Sequence, residues 1–513
     1  MKKMLFILVV LLLGVTLTSC GGTDYSEILG DYVPSESIYQ FSDENLDKVS
    51  LNKTFEVDEC LDNAKSLIKP NGMFQSGMCL QRDAVNCIFG TALFTDYIAV
   101  SIKDKVYYGT VDSEGNFEVY LPKMNAGGPY VMEIISEMGR IVLTNVYIGE
   151  VYLFAGQSNM EWQIWISGNT MKELYEAPDV NNENIRLIRI PNNPSTNPKD
   201  NVSADTIWYG ATAETVKKFS AVAYVFGKKL QQELGCPVGL VSTAVGGSCI
   251  EHWLSEANYG EVCKAYTPVV RNDNSVLAPT IGYNGILHPL KNLNFRGVVW
   301  YQGCSNTYGT EQFYGEALKI FMNQCREDFN NENLTFTICE LARYQENPYA
   351  YSIINERINA VAKEDGKVAV ARNLDLGNWF DIHPLDKRVI GTRAIDETLR
   401  LFYGKDYAEP IKLTSYSFNE DGSVTLTFNR DASLLNGSNG FEVSNGNKYS
   451  YDCNVVCEGN TITVSTNYQI ASVRYGYTCR MNNDNKNDVS KMVTVYDSDN
   501  NPLDLFVINL WDE

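Results

Sequence analysis

The chain is poor in histidine, in basic residues and in long apolar runs. Only three of its 513 residues are histidines, so a site that needs an imidazole has few candidates. Lys and Arg number 42 against 63 Asp and Glu, and the resulting formal net charge of -21 would repel a phosphate backbone over most of the surface. After residue 20 no segment approaches about 18 uninterrupted apolar residues. The composition therefore argues against nucleic acid as a partner and against a membrane-spanning helix beyond the N-terminus.

Cysteines are present, thirteen in all, but their scattered positions do not dictate a pairing pattern. Cys79 with Cys87 and Cys453 with Cys457 are the nearest pairs, and no histidine cluster accompanies them as a structural zinc site would require. Buried free thiols are favoured over disulfides.

The first twenty residues resemble a bacterial lipoprotein signal. Lys2 and Lys3 precede an apolar core from Leu5 to Leu13, and Leu17-Thr18-Ser19-Cys20 follows. The apolar core is too short to span a bilayer comfortably. We predict a signal peptide over residues 1–20, a lipid anchor on Cys20, and an exported lipoprotein held at the outer membrane, in the periplasm or at the cell surface.

The chain is long enough for about three or four domains. Residues 21–74 are acidic and poorly periodic and predict a spacer without assigned structure. Short alternating strands over 75–149 predict a β-sandwich module, and period-two alternation returns in a β-rich module over 405–513. Between them, residues 150–404 alternate strands with helices. The predicted fold class is therefore α/β, with a central parallel sheet flanked by two all-β modules.

The predicted α/β strands are Val151–Ala155, Val238–Thr243, Gly297–Gln302, Thr335–Leu341 and Val368–Leu374, and the predicted helices are Glu214–Leu234, Glu311–Phe329 and Tyr351–Asp365. Residues 161–213 interrupt this alternation with Asn- and Pro-rich loops that could shape access to a site.

The clearest functional signal is the segment Gly156-Gln157-Ser158-Asn159-Met160, which follows the apolar run Val151–Ala155. Gly156 permits a sharp turn, so Ser158 should lie just beyond the carboxyl end of a strand, where open α/β sheets hold their active sites. The alternative interpretation is an ordinary Gly-Ser turn at a strand end.

A nucleophilic serine needs a base and a carboxylate that orients the base. His383 follows the last α/β strand in the sequence Asp381-Ile382-His383-Pro384. Pro384 favours an extended conformation at His383, in which Asp381 would face the same way and reach one ring nitrogen. Pro384 can also open the next helix. His252 and His288 are the competing bases, but neither has an aspartate at short spacing, and each is also explained as a packed or hydrogen-bonded loop residue.

Donors for an oxyanion are expected at two further strand ends. Gly246-Gly247-Ser248 follows one strand and would let a backbone N–H approach a substrate closely, with Gly247 or Gly246 as the donor. Gln302 and Asn306 follow another strand and offer side-chain amides. Each signal is weak alone, since Gly-Gly pairs and polar turns are common, but all of them fall at strand ends of one predicted sheet.

Together these motifs resemble the sialate O-acetylesterase-like carbohydrate esterases of the SGNH hydrolase superfamily. The similar segments are GQSNM (156–160), VGLVSTAVGGSCIEHW (238–253), WYQGCSN (300–306), DIHP (381–384), MCLQRD (78–83) and AGGPY (126–130). The resemblance implies a three-layer α/β/α sandwich, deacetylation of sugar hydroxyls, and no metal or cofactor.

Carried over by motif, the resemblance implies Ser158 as nucleophile, His383 as base and Asp381 as its orienter. The backbone N–H groups of Ser158 and Gly247, with Gln302 or Asn306, would form the oxyanion hole. Cys304 departs from the family, which usually has glutamate in this block. We predict an esterase for O-acetylated sugars, sialic acids first; the alternatives are an acetylesterase for xylan or another polysaccharide, and a sugar-binding lipoprotein with a degenerate site.

Overall fold

The structure, a computed structural model, describes residues 67–136, 139–268, 276–479 and 481–512. The predicted signal peptide, the anchor at Cys20 and nearly all of the predicted spacer lie outside the described residues. The contacts divide the chain into two compact units. The described part of the first unit consists of residues 67–70, 88–122, 131–136 and 139–143, and the second consists of 71–87, 123–130 and all described residues from 144 on.

The strands up to the first long one are β1 Ile68–Pro70, β2 Cys79–Gln81, β3 Asn86–Ala92, β4 Tyr97–Ile102, β5 Lys105–Thr110, β6 Asn116–Leu121, β7 Gly127–Ser136 and β8 Gly139–Gly156. In the first unit β4 and β5 form an antiparallel hairpin. Its two turn residues, Lys103 and Asp104, both have positive φ, which is typical of the tight turns that match strand twist. Ala99, Val106, Tyr108 and Ile135 form a small buried cluster in this unit.

The second unit contains the α/β sheet. Its strands are the end of β8, then β9 Asn182–Arg189, β10 Trp208–Ala211, β11 Val238–Ala244, β12 Gly297–Tyr301, β13 Thr335–Cys339 and β14 Val368–Ala371. They lie in the order β10-β9-β11-β8-β12-β13-β14. All neighbours pair in parallel except β10, which is antiparallel to β9. The α/β fold class is confirmed, with the correction that the sheet is mixed because of this edge strand.

The α-helices are α1 Ser158–Glu161, α2 Glu173–Glu176, α3 Ala213–Lys217, α4 Ala221–Leu234, α5 Glu256–Ala265, α6 Tyr314–Asp328, α7 Pro348–Glu364, α8 Arg388–Tyr403 and α9 Asn483–Asn487. The longer helices pack in two groups beside the sheet, α4 with α8 and α6 with α5 and α7, and the short helices α2 and α3 contact each other. The stretches between them include short 3-10 and π turns over 164–170, 250–253, 283–290, 304–306, 311–313, 489–492 and 510–512.

Three local predictions were wrong in detail. The helix predicted over Glu214–Leu234 is divided into α3 and α4, because the hydroxyl of Ser220 accepts from the N–H of Ala223 and starts a new helix. Residues 161–213 are not all loop, since β9 lies inside them and joins the sheet. The helix after Pro384 starts only at Arg388, so the proline does not open it.

The end of the chain is a β-rich region within the second unit. Its strands are β15 Leu413–Phe418, β16 Val424–Phe428, β17 Ser433–Leu434, β18 Phe441–Ser444, β19 Asn454–Glu458, β20 Thr461–Ser465, β21 Ser472–Tyr475, β22 Val495–Tyr496 and β23 Phe506–Asn509. Ile353 and Leu374 of the α/β region belong to its apolar core. Arg343 joins the two regions by donating to the carbonyls of Leu374 (3.0 Å), Gly476 (2.6 Å) and Tyr477 (3.2 Å).

The register of the sheet determines where the site lies. Gly156 at the end of β8 pairs with Ala244 at the end of β11 and with Tyr301 at the end of β12. The segments that follow these three strands therefore leave the sheet side by side, at its carboxyl edge.

Candidate active site

The turn that carries Ser158 requires a glycine. Gly156 has a φ of +140°, and a Cβ built on it would lie 2.3 Å from the carbonyl oxygen of Tyr301. A side chain would collide with the backbone of the neighbouring strand, so only glycine lets β8 turn sharply here. Ser158 follows at the first position of α1 and remains partly exposed, in a stretch where Gln157 and Asn159 are buried. The sharp turn thus leaves the hydroxyl accessible.

His383 lies directly beside this serine. Its Nε2 is 2.8 Å from Ser158 Oγ, although 225 residues separate the two in the chain. The imidazole ring stacks on the indole of Trp162 at 5.1 Å between ring centres and 22° between planes. In the neutral tautomer with the proton on Nδ1, Nε2 accepts the hydroxyl hydrogen, which is the arrangement a general base needs.

Burial lowers the pKa of His383, the positive charge of Lys387 lowers it further, and the carboxylate of Asp381 acts in the opposite direction. A lowered pKa keeps the imidazole neutral and able to accept a proton over a wider range of pH.

Asp381 is close to the imidazole without a hydrogen bond to it. Its Oδ1 is 3.8 Å from His383 Nδ1, and the same oxygen accepts from the backbone N–H of His383 at 2.9 Å. An aspartate that binds the amide two residues on forms a local turn. The extended segment predicted from Pro384 was therefore wrong, because the carboxylate binds the backbone of His383 and the chain bends at residues 382–383. The side chain of Asp381 is 52% exposed.

The glycine loop offers one uncommitted backbone donor among the described residues. The N–H of Gly246 donates to Glu161 Oε2 at 3.1 Å. No hydrogen bond among the described residues occupies the N–H of Gly247, whose φ of +77° suits glycine. The N–H of Ser158, at the start of α1, is likewise without an acceptor in the described chain. Ser158 and Gly247 are the available backbone donors, while Gly246 is committed elsewhere.

The structure places Gln302 in an internal network. Its side chain is fully buried, and both amide hydrogens are used, by the carbonyl of Ser248 (3.0 Å) and by Asn306 Oδ1 (2.8 Å). Asn306 in turn donates to Glu251 Oε2 at 3.0 Å. An amide has two hydrogens, so Asn306 keeps one that could serve a substrate whereas Gln302 keeps none.

The other two histidines have structural contacts. His252 is fully buried, its Nδ1 lies 3.0 Å from the carbonyl oxygen of Ala278, and burial lowers its pKa to about 4. His288 Nδ1 lies 2.8 Å from the carbonyl oxygen of Lys199. Each of the two is held by a hydrogen bond from one ring nitrogen, as the interpretation of packed or hydrogen-bonded residues predicted.

Sequence reasoning missed three neighbours of the site. Trp162 supports the imidazole, Asn159 Nδ2 donates to the carbonyl of Ile382 (3.1 Å), and Lys387 Nζ donates to Asn159 Oδ1 (2.6 Å). Asn159 lies within the serine motif and Trp162 two residues after it, so the resemblance of this motif to the family could have indicated both. Nothing in the local sequence singled out Lys387.

Cys304 is a buried thiol in this neighbourhood, where it interacts with the side chains of Tyr351 and Asn159. Burial raises its pKa to about 11, so it is a protonated thiol at neutral pH. Cys79, Cys453 and Cys457 are also free thiols, in agreement with the preference for thiols over disulfides.

Within the described ranges, no three or more His, Cys, Asp and Glu side chains are grouped so that they could hold a metal ion. The described helices include none with the length and hydropathy needed to cross a bilayer.

Comparison with known proteins links this site to one family. Residues 148–383 match the family model described as "Carbohydrate esterase, sialic acid-specific acetylesterase". Sialate O-acetylesterases of Pongo abelii and Homo sapiens are each 30% identical over 225 residues, which is 41% of this chain and 42% of those proteins. The chain thus spans about two fifths of the length of these relatives. The enzyme of Mus musculus is 26% identical over 388 residues, 64% of this chain and 71% of that protein.

A solved structure is similar to this one over a larger part of the chain. The crystal structure of XAC1771, described as a novel carbohydrate acetylesterase from Xanthomonas citri, superimposes with a TM-score of 0.76 and 26% identity, covering 86% of this chain and all of that one. Its similarity extends over more of the chain than the family model does. The predicted relationship to the sialate O-acetylesterase-like carbohydrate esterases is therefore confirmed, through the α/β region that holds Ser158 and His383.

Proposed function

We propose that this protein is a carbohydrate O-acetylesterase that removes acetyl groups from O-acetylated sugars, sialic acids first, through an acyl-enzyme on Ser158. The observation that carries the proposal is the 2.8 Å contact between Ser158 Oγ and His383 Nε2 at the carboxyl edge of the sheet. The proteins that match this chain support the same chemistry, since they are described as acetylesterases.

In the proposed mechanism Ser158 Oγ attacks the acetyl carbonyl carbon as His383 Nε2 takes the hydroxyl proton. The negative charge that develops on the carbonyl oxygen is stabilised by the backbone N–H groups of Ser158 and Gly247, with Asn306 as the side-chain candidate. When the tetrahedral intermediate collapses, the bond to the sugar oxygen breaks and His383 returns its proton to that oxygen. Water, activated by the same imidazole, then releases acetate and restores the serine.

Two exposed aromatic side chains near the site support a sugar as substrate. Phe380, directly before Asp381, is 58% exposed, and Trp165, three residues after Trp162, is 51% exposed. Exposed aromatic surface is typical of a ligand-binding rim.

An acidic sugar is supported by a cation near the glycine loop. Arg189 is partly exposed and pairs with Glu161 at 3.0 Å, and the other oxygen of Glu161 accepts from Gly246. A Cβ on Gly246 would lie 3.6 Å from Ser158 Cβ, so this pair is close to the nucleophile. These contacts link the guanidinium to the nucleophile's surroundings, and a guanidinium binds the carboxylate of a sialic acid, a group that neutral xylan lacks.

The deciding experiment compares wild type, Ser158→Ala and, as a matched control, Ser433→Ala on an exposed strand of the C-terminal region. We expect the wild type and the control to hydrolyse 4-nitrophenyl acetate, and Ser158→Ala to lose about 10⁴-fold or more while keeping its circular dichroism. Undiminished activity in Ser158→Ala would contradict the mechanism. An inactive wild type would favour the sugar-binding alternative.

Substrate preference is tested by acetate release from O-acetylated sialic acids and from acetylated xylan fragments. We expect the higher kcat/KM on the sialic acids. A preference for xylan fragments would contradict the sialic acid assignment while leaving the esterase assignment intact.

We further propose that the chain is exported and anchored through a lipid on Cys20, on the basis of the signal-like residues 1–20. Cys20→Ser should abolish metabolic labelling with palmitate and release the protein from the membrane fraction. Equal labelling of the variant would contradict this assignment.

A further inference from the structure

Lys387 is a buried lysine beside the site. It is only 1% exposed, and its Nζ donates to Asn159 Oδ1 at 2.6 Å and to the carbonyl of Pro384 at 2.7 Å. Lysine is rarely buried to this extent, because an ammonium group loses its hydration and needs compensating partners. These two acceptors, both neutral, provide that compensation.

The contacts of Lys387 close a link between the serine turn and the histidine loop. Asn159 follows Ser158 in α1, and its Nδ2 donates to the carbonyl of Ile382 at 3.1 Å. Its Oδ1 accepts from Lys387, which also holds the carbonyl of Pro384. The residues on both sides of His383 are thereby attached to one side chain next to the nucleophile. The link thus joins the two segments that carry the reacting groups.

Lys387 and the imidazole of His383 also both contact the ring of Trp162. Its Nζ lies 5.5 Å from the centre of the Trp162 ring, and His383 stacks on the same ring. A cation near an aromatic face is attracted by the ring, and burial weakens the screening of its charge.

The charged and titratable groups that face Lys387 are His383, Asp381 and Asp386 in its own loop, and Cys304 beyond β12. Asp386 pairs with Arg388, Cys304 is a neutral thiol, and no carboxylate among the described ion pairs binds Lys387. Burial lowers the pKa of Lys387 to about 7. Below that pH the Lys387 side chain is mostly charged, and this positive charge lowers the pKa of His383.

We infer that Lys387 is a positioning residue for the proposed reaction: its ammonium group fixes the histidine loop against the serine turn and adds a positive charge near the imidazole of His383. The inference rests on the proposed function and goes beyond it by assigning a role to a side chain other than Ser158, His383 and Asp381. It requires that both the geometry and the charge of Lys387 affect His383, and the two effects can be measured separately.

The experiment compares wild type with Lys387→Met, which removes the charge and the donor, and Lys387→Arg, which keeps the charge. Lys229→Met is the control, since Lys229 pairs with Asp396 away from the site. The pKa of His383 is measured by NMR with ¹³C-labelled histidine, a simple spectrum because the chain has three histidines, and the signal is assigned by its loss in His383→Gln.

We expect the His383 signal to titrate at a higher pH in Lys387→Met than in the wild type, and to stay at the wild-type pH in Lys387→Arg and in Lys229→Met. The kcat of Lys387→Met on 4-nitrophenyl acetate should fall by about 10- to 100-fold with KM little changed, because a misplaced base slows the chemical step more than it weakens binding.

An unchanged titration of His383 in Lys387→Met, or a kcat equal to that of Lys229→Met, would overturn the inference. If Lys387→Met does not fold, as judged by circular dichroism, Lys387→Gln removes the charge and keeps an amide donor, and the same rise in the pKa of His383 is expected. The titration needs no substrate, so a wild type without esterase activity would contradict the proposed function and leave the effect of Lys387 on His383 measurable.

Discussion

Replacing Asp381 by asparagine should have a small effect for a serine hydrolase. Where the carboxylate is hydrogen-bonded to the imidazole, this change costs about 10⁴-fold in kcat. In this chain Asp381 Oδ1 and His383 Nδ1 are 3.8 Å apart, beyond hydrogen-bond distance, and the carboxylate accepts instead from the backbone of His383. Only the attraction between the carboxylate and the imidazolium formed in the transition state is then lost.

The magnitude follows from Coulomb's law. At 3.8 Å two unit charges attract by about 1 kcal/mol in water and by about 4 kcal/mol at an effective dielectric constant of about 20. With 52% of the Asp381 side chain and 29% of the His383 side chain exposed, the lower end applies. A cost of about 1–2 kcal/mol corresponds to a loss of about 5- to 30-fold in rate.

The assay is kcat/KM for 4-nitrophenyl acetate in wild type and Asp381→Asn, with Ser158→Ala as the blank. Because Asp381 raises the pKa of His383, the acid limb of the pH profile should also move to lower pH in Asp381→Asn. A loss of about 10³-fold or more would refute this reasoning, since it would require a direct bond from the carboxylate to Nδ1 during catalysis. A variant as active as the wild type would refute any role for Asp381.

Three further predictions concern the active site, the strand before it and the contact with the C-terminal strands. In the wild type, kcat/KM should fall as pH drops through the lowered pKa of His383, so the acid limb should lie below the ordinary range of histidine; a midpoint above that range would contradict the assigned causes. Gly156→Ala should destabilise the fold by roughly 2–6 kcal/mol in urea unfolding, through its positive φ and the contact with Tyr301; an unchanged midpoint would contradict this. Arg343→Met should leave the buried carbonyl of Leu374 without a donor, while those of Gly476 and Tyr477 keep Ser352 Oγ, and lower stability by about 1–3 kcal/mol; thermal unfolding at the wild-type temperature would show that the contact with the C-terminal strands is dispensable.

Local patterns were sufficient for the main elements of the α/β region. The strand before Ser158 was predicted over Val151–Ala155 and is the end of β8, and the strand predicted over Val238–Thr243 is β11. Apolar runs of this length reflect burial on both faces of a parallel sheet, so the pattern and the fold have the same cause. The edge strand β10 was missed because it is short and antiparallel, in a stretch rich in loop-forming residues.

The sequence by itself determined which chemical groups are available at the site: a serine after a glycine turn, one histidine with a nearby aspartate, and a glycine pair after another strand. The presence of these groups at strand ends follows from residue type and local conformation. Only the tertiary structure decided how these groups meet. It brings His383 to Ser158, commits Gln302 to an internal network, leaves Asp381 short of a hydrogen bond with the imidazole, and buries Lys387 between the two catalytic segments. The physical reason is that hydrogen bonds and charge effects depend on distances of a few ångströms between segments far apart in the chain, and these distances are determined by strand register and packing rather than by sequence spacing.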